Sequence, residues 1–148
     1  MEPLAPTGPV TATIAADVIA AAVRRADELG VRVSVAVVDA GGTLKAFLRM
    51  DGAEIAGATL ATDKAFTAVA NRAATHELAA LAQPGQPLFG LHAGAGGRYV
   101  IFGGGIPVAA GGELAGGVGV SGAEAWQDIE CATAAAEECR RLLDAGDA

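Results

Sequence analysis

The chain has 148 residues, enough for one domain whose hydrophobic core needs no disulfide or metal staple. Apolar residues make up 52% and charged residues 18%, which excludes a disordered chain, while 36 Ala, 21 Gly and only 4% aromatics leave the core to small aliphatic side chains and bring backbones close. Ten basic against 17 acidic residues give a net charge of −7, which argues against non-specific nucleic-acid binding and against an anionic membrane surface.

Residues 1–10, MEPLAPTGPV, are acidic and proline-rich, with no basic or apolar leader pattern. They read as a loose tail ahead of a single domain over 11–148, and a cytoplasmic location is the resulting expectation. A first helix is predicted from Thr11 or Thr13 to Leu29, with Thr13 as N-cap and Gly30 as the stop. Val31–Asp39 alternates Val31, Val33, Val35 and Val37 with polar or small residues, the pattern of a half-buried strand. Asp39-Ala-Gly-Gly is a turn, and Thr43–Met50 returns as the second strand of a hairpin. A second helix is predicted over Ala53–Ala73 with Ile55, Thr62, Phe66 and Val69 on its apolar stripe and Lys64 opposite Ile55. A short helix over Thr75–Leu81 follows, capped by Thr75, and then the breaker Gln83-Pro-Gly-Gln-Pro87. Beyond a glycine-rich loop at 88–97, strands are predicted at Arg98–Phe102, Ile106–Ala109 and Leu114–Ser121, and a last helix at Ala123–Leu143. Ala109-Ala-Gly-Gly-Glu-Leu repeats the turn chemistry of Asp39-Ala-Gly-Gly-Thr-Leu. The order predicts an α/β fold of the α+β type: a mostly antiparallel sheet of about five strands flanked by helices.

Cys131 and Cys139 stand about 12 Å apart along one predicted helix, too far for a disulfide, and read as buried thiols. Gly117-Val-Gly-Val-Ser-Gly122 fits a dinucleotide fingerprint, yet no second strand with an acidic end follows. Its glycines read instead as close strand–helix packing, and the amides after Ser121 as an opening for an anion. Gly103, Gly104 and Gly105 offer bare backbone either to a ligand or to a bend. Arg49 suits a ligand carboxylate or a pair with Asp51 that orders the turn. Lys64 reads as a solvated lysine or as part of a cavity wall or subunit contact, since Leu60, Thr67 and Ala68 flank it. His76 and His92, the only histidines, belong to no zinc-ligand pattern, but either is enough for a single axial ligand or a general base.

Six ordered blocks carry a resemblance. Val35-Ala-Val-Val-Asp-Ala-Gly-Gly-Thr-Leu-Lys-Ala46, Arg49-Met-Asp-Gly-Ala53, Ala61-Thr-Asp-Lys-Ala-Phe-Thr-Ala68, Gly103-Gly-Gly-Ile-Pro107, Gly116-Gly-Val-Gly-Val-Ser-Gly122 and Asp128 resemble the GlcG/HbpS family of haem-binding and haem-degrading-like proteins. The C-terminal part of PduO-type proteins shares the pattern. The resemblance implies an antiparallel sheet flanked by helices, assembled as dimers or larger homo-oligomers.

Three readings follow. In the first the chain binds a small molecule, haem or a related tetrapyrrole: His76 or His92 meets the iron, and Arg49, Lys64, Arg72 or Arg98 the propionates. In the second it is an isomerase, hydratase or lyase acting on a small oxo- or hydroxy-acid or an aromatic-catabolism intermediate. Arg49 or Lys64 then holds the carboxylate, Asp39 or His76 moves the proton, and the 103–105 amides face an oxyanion. The third is a non-catalytic scaffold. Candidate site residues are thus Asp39, Lys64 and His76 for chemistry, and Arg49, Asp51, Thr67, His92, Arg98, Gly103, Gly104, Gly105 and Ser121 for binding.

Overall fold

The computed structural model describes residues 1–5 and 8–146; part of the expected tail, and the last two residues, lie outside the described residues. Helix α1 runs Ala12–Leu29 and stops at Gly30 (φ 72°), as predicted. Its N-cap is Thr11 and not Thr13: the Thr11 hydroxyl accepts the Ile14 N–H at 3.1 Å. Val10, which the sequence puts in the tail, is buried in the core.

Strands β1 (Ser34–Asp39) and β2 (Leu44–Arg49) form the expected antiparallel hairpin, with Ser34 opposite Arg49 and Val35 opposite Leu48. Helix α2 spans Ala56–Asn71 and α3 Thr75–Leu81. Two short 3₁₀ turns, Leu91–Ala93 and Ala95–Gly97, lead to β3 (Gly105–Ala110), β4 (Glu113–Ser121) and α4 (Ala125–Gly146). The four strands pair in the order β2-β1-β4-β3, every pair antiparallel.

The sheet has four strands and not about five. Arg98–Phe102 is not a strand, because the Val100 N–H is satisfied by the Thr67 hydroxyl at 2.9 Å instead of by a ladder partner. β1 is not half-buried either. It is central and covered on both faces. Val33, Val35, Val37, Val118 and Val120 pack against α1 and α4, whereas Ala36 and Val38 pack under α2.

The stripe predicted for α2 holds only in part. Val69 is buried and Thr62 and Phe66 are half-buried, but Ile55 is 81% exposed, while Gly57, Ala61, Lys64, Ala65 and Ala68 are buried as well. The reason lies on the sheet. Gly117 and Gly119 face α2 and present no side chain, so the helix turns its smallest residues inward and sits almost backbone to backbone. A Cβ at Gly119 would overlap the Ala61 carbonyl oxygen and stand 2.7 Å from the Ala65 amide nitrogen. The close-packing reading of these glycines is the one the structure adopts. Among the described residues, no helix is long and apolar enough to cross a membrane.

Cys131 and Cys139 are free and buried on α4. Burial pushes each thiol up to about 11 from 9.0. Between pH 9 and 11 the folded chain therefore keeps protons that the unfolded chain has lost, so stability falls as pH rises through that window. The slope reaches roughly 1.4 kcal/mol per pH unit for each thiol. Urea unfolding at pH 8 and pH 10.5 is expected to show a larger loss for the native chain than for Cys131→Ala/Cys139→Ala. Equal losses would place the thiols in water.

Candidate functional site

Lys64 is buried, not solvated: its side chain is 1% exposed. From α2, on one face of the sheet, it reaches Asp128 of α4, on the other. The Nζ donates to Asp128 Oδ2 at 3.1 Å and to the Val120 carbonyl at 2.9 Å, and lies 5.1 Å from the centre of the Phe102 ring. Burial pushes the amine down from its ordinary value and the Asp128 carboxyl up, and their mutual attraction only partly offsets this. Asp128 Oδ1 also accepts the Ala123 N–H at 3.0 Å. The amide opening read after Ser121 is thus taken by the chain's own carboxylate. Asp128 is not among the site candidates that the sequence offers, because its partner Lys64 is 64 positions away on another helix.

The triple glycine lies on this pair. A Cβ on Gly104 would stand 2.9 Å from Lys64 Nζ, and one on Gly103 would meet Ile129 Cδ1 at 2.5 Å and the His76 Cβ at 3.5 Å. The Gly105 N–H donates to the Thr75 hydroxyl at 2.9 Å, so Thr75 fastens the bend and does not cap α3, whose N-cap is Ala74. Bare backbone here lets α2, α3 and α4 approach one point.

Beside that point, α3, β3 and α4 enclose a groove of about 340 Å³. His76 and Glu77 line it from α3, Ile106 and Pro107 from β3, Thr133 and Arg140 from α4, and Arg72 from the end of α2. Ile106 and Pro107 make part of its wall apolar. Neither Arg72 nor Arg140 belongs to an ion pair among the described residues. Arg140 was not singled out in the sequence; nothing in its spacing marks it, because the groove joins residues 72 and 140 only through the fold.

The other sequence candidates sit elsewhere. Arg49 donates through Nε and Nη2 to the Ala53 carbonyl, at 3.0 and 2.6 Å, and forms no ion pair with Asp51 among the described residues. Both line a separate open depression with Arg32 and Met50. Asp39 Oδ1 accepts the Gly41 and Thr43 amides at 2.9 and 3.0 Å, which ties its carboxylate into the hairpin turn. The Thr67 hydroxyl donates to the Asp63 carbonyl at 2.6 Å and accepts the Val100 amide, which pins the 98–102 segment. Arg98 pairs with Asp63 at 3.0 Å and lies over the Phe66 ring at 3.8 Å. His92 is exposed on the first 3₁₀ turn. Ser121 is buried at the end of β4, opposite Ser34, whose hydroxyl is buried under Gly57 with no hydrogen-bond partner among the described residues.

Residues 10–137 match the family described as "Haem degrading protein HbpS-like". The chain is 46% identical over 115 residues to corrinoid adenosyltransferase PduO of Citrobacter freundii, covering 78% of this chain and 34% of that protein. It therefore spans about a third of the length of that relative. Among solved structures it is similar to Klebsiella pneumoniae protein ORFY (TM-score 0.87, 35% identity, 94% of this chain and 96% of that one). It is also similar to the PduOC:heme complex (TM-score 0.82, 42% identity, 85% of this chain and 91% of that one). With the family match running over most of its length and a shared antiparallel sheet flanked by helices, the chain belongs to the HbpS-like family.

Proposed function

We propose that the groove between α3, β3 and α4 binds haem or a closely related tetrapyrrole, with His76 as the iron ligand and the cations of its rim facing the propionates. The observation that carries this reading is the meeting of His76, Arg72 and Arg140 around a partly apolar groove in a chain of net charge −7. The donor set fits the group: one accessible imidazole, two cations that form no ion pair among the described residues against the single carboxylate of Glu77, and the Ile106–Pro107 wall. The similarity to a haem complex of a chain 42% identical supports the same ligand here. At about 340 Å³ the groove is at the low end of the roughly 300–1,000 Å³ usual for small-molecule sites. One chain thus covers only part of a macrocycle, and a second copy covering the rest belongs to the proposal. A cytoplasmic site of action belongs to the proposal as well.

Bound haem supplies an iron centre whose behaviour is set by its axial ligand and surroundings. The chain's part is positional. Gly103 sets the spacing of His76 from Ile129, and the Thr75–Gly105 bond holds α3 against β3. The enzyme reading draws less support, since Arg49, Asp39 and the Gly105 amide are already engaged within the fold.

Titration with haemin is expected to give a saturable Soret shift. His76→Ala should lose it or weaken binding by about tenfold or more, some 1.4 kcal/mol, while His92→Ala binds as the native chain does. A shift that survives His76→Ala would overturn the assignment.

A further inference from the structure

Two compartments meet at Arg72 and Pro107. One is the His76 groove. The other, about 200 Å³, is lined by Arg72, Pro107, Ala109, Gly112 and Leu114. Arg72 is the one ionisable side chain among those lining residues, so an acid group entering there meets a single cation and otherwise small or apolar walls.

The backbone at Arg72 is unusual. It closes α2 with φ 52° and ψ 38°, in the left-handed region that disfavours a side chain. The Arg72 N–H donates to the Val69 carbonyl at 3.3 Å and the Ala73 N–H to the Ala68 carbonyl at 3.2 Å, a closure in which glycine is the commonest residue. The guanidinium contributes nothing to that closure. It is exposed and, among the described residues, makes no ion pair or hydrogen bond. Arg25, Arg32, Lys64, Arg98 and Arg141 are ion-paired and Arg49 is held by a carbonyl, whereas Arg24, Lys45 and Arg140 are as free as Arg72 among the described residues; what sets Arg72 apart is its backbone. An unengaged cation at a position that suits glycine is placed at a backbone cost, and a residue kept at such a cost points to a task outside the cap.

We infer that the second compartment is a carboxylate subsite, with Arg72 as its specificity-determining residue. It receives a terminal carboxylate on a short alkyl arm, held by two parallel N–H···O bonds from the guanidinium, while the body of the ligand lies in the neighbouring groove. The inference rests on the tetrapyrrole reading for the body of the ligand, and not for the acid.

The test uses metal-free protoporphyrin IX, its dimethyl ester and haemin on the native chain, Arg72→Gly and His76→Ala. The native chain is expected to bind the free acid at least about tenfold more tightly than the ester. Arg72→Gly should cut that preference severalfold, leaving what Arg140 supplies, while melting at the same or a higher temperature, because glycine relieves the left-handed backbone. His76→Ala should lose the haemin Soret shift and keep the acid preference. If Arg72→Gly keeps the acid preference undiminished, the subsite is wrong even where haemin binds. If Arg72→Gly melts clearly lower, Arg72 serves the cap and the inference falls. If the acid preference is present and depends on Arg72 but haemin gives no saturable shift, the iron reading falls and the subsite stands. If neither porphyrin binds the native chain, both fall.

Discussion

Lys64→Ala is expected to cost about 3–5 kcal/mol of folding free energy, because it strands the Asp128 carboxylate in a site with little water. That is a large share of the ~5–15 kcal/mol that holds a typical domain together. The amine also fills the Val120 carbonyl, so the change removes two hydrogen bonds at once. Lys64→Met/Asp128→Asn removes both charges and keeps an oxygen for the Ala123 amide. It is expected to recover most of the loss, since a buried ion pair is held at a desolvation cost that an uncharged pair avoids. Urea unfolding of the three proteins measures this, with unchanged slopes showing that the same surface is exposed. A cost under about 1 kcal/mol for Lys64→Ala would put the amine in solvent, the reading the helix stripe first suggests.

Gly119→Ala is expected to be comparably severe, at about 3 kcal/mol or more. The new methyl would enter between the Ala61 carbonyl oxygen and the Ala65 amide nitrogen, the two ends of one turn of α2. Both obstacles are backbone, so no side-chain rotation relieves them. Either α2 lifts from the sheet or its ladder opens. Gly146→Ala meets nothing within 4 Å and serves as the control, expected within about 0.5 kcal/mol of the native chain. Thermal or urea melts decide it; a mild effect at Gly119 would mean that α2 rides higher over β4 than the geometry places it.

Those two sites also show what the sequence discloses and what it hides. Turn chemistry is local, so Asp39-Ala-Gly-Gly and Ala110-Gly-Gly-Glu announce both hairpins, and Gly30 announces the end of α1. The buried side of α2 is not local. Hydrophobic periodicity assumes that the larger apolar residues face inward; Val69 does, but opposite Gly119 it is Ala61 and Ala65 that meet the strand. The same small-residue contact hides Lys64, whose partner is 64 positions away on another helix. Arg98–Phe102 has strand composition, yet a single Thr67 hydroxyl takes the amide that a ladder would need.

In the site, His76 and the glycine bend are visible as residues, but their meeting with Arg72 and Arg140 depends on how α3 and α4 flank β3. Arg49 and Asp51 share a motif block with no chemistry between them, since Arg49 serves the Ala53 carbonyl. Family motifs can therefore record turns and close packing as readily as a ligand site.

Amide hydrogen exchange with and without haemin locates the ligand most directly. Slowed exchange is expected in three separate stretches, 72–77, 106–109 and 133–140, which the fold alone brings together around the groove. Protection confined to the depression at Arg49, Met50 and Asp51, or spread evenly over the surface, would contradict a site built on His76.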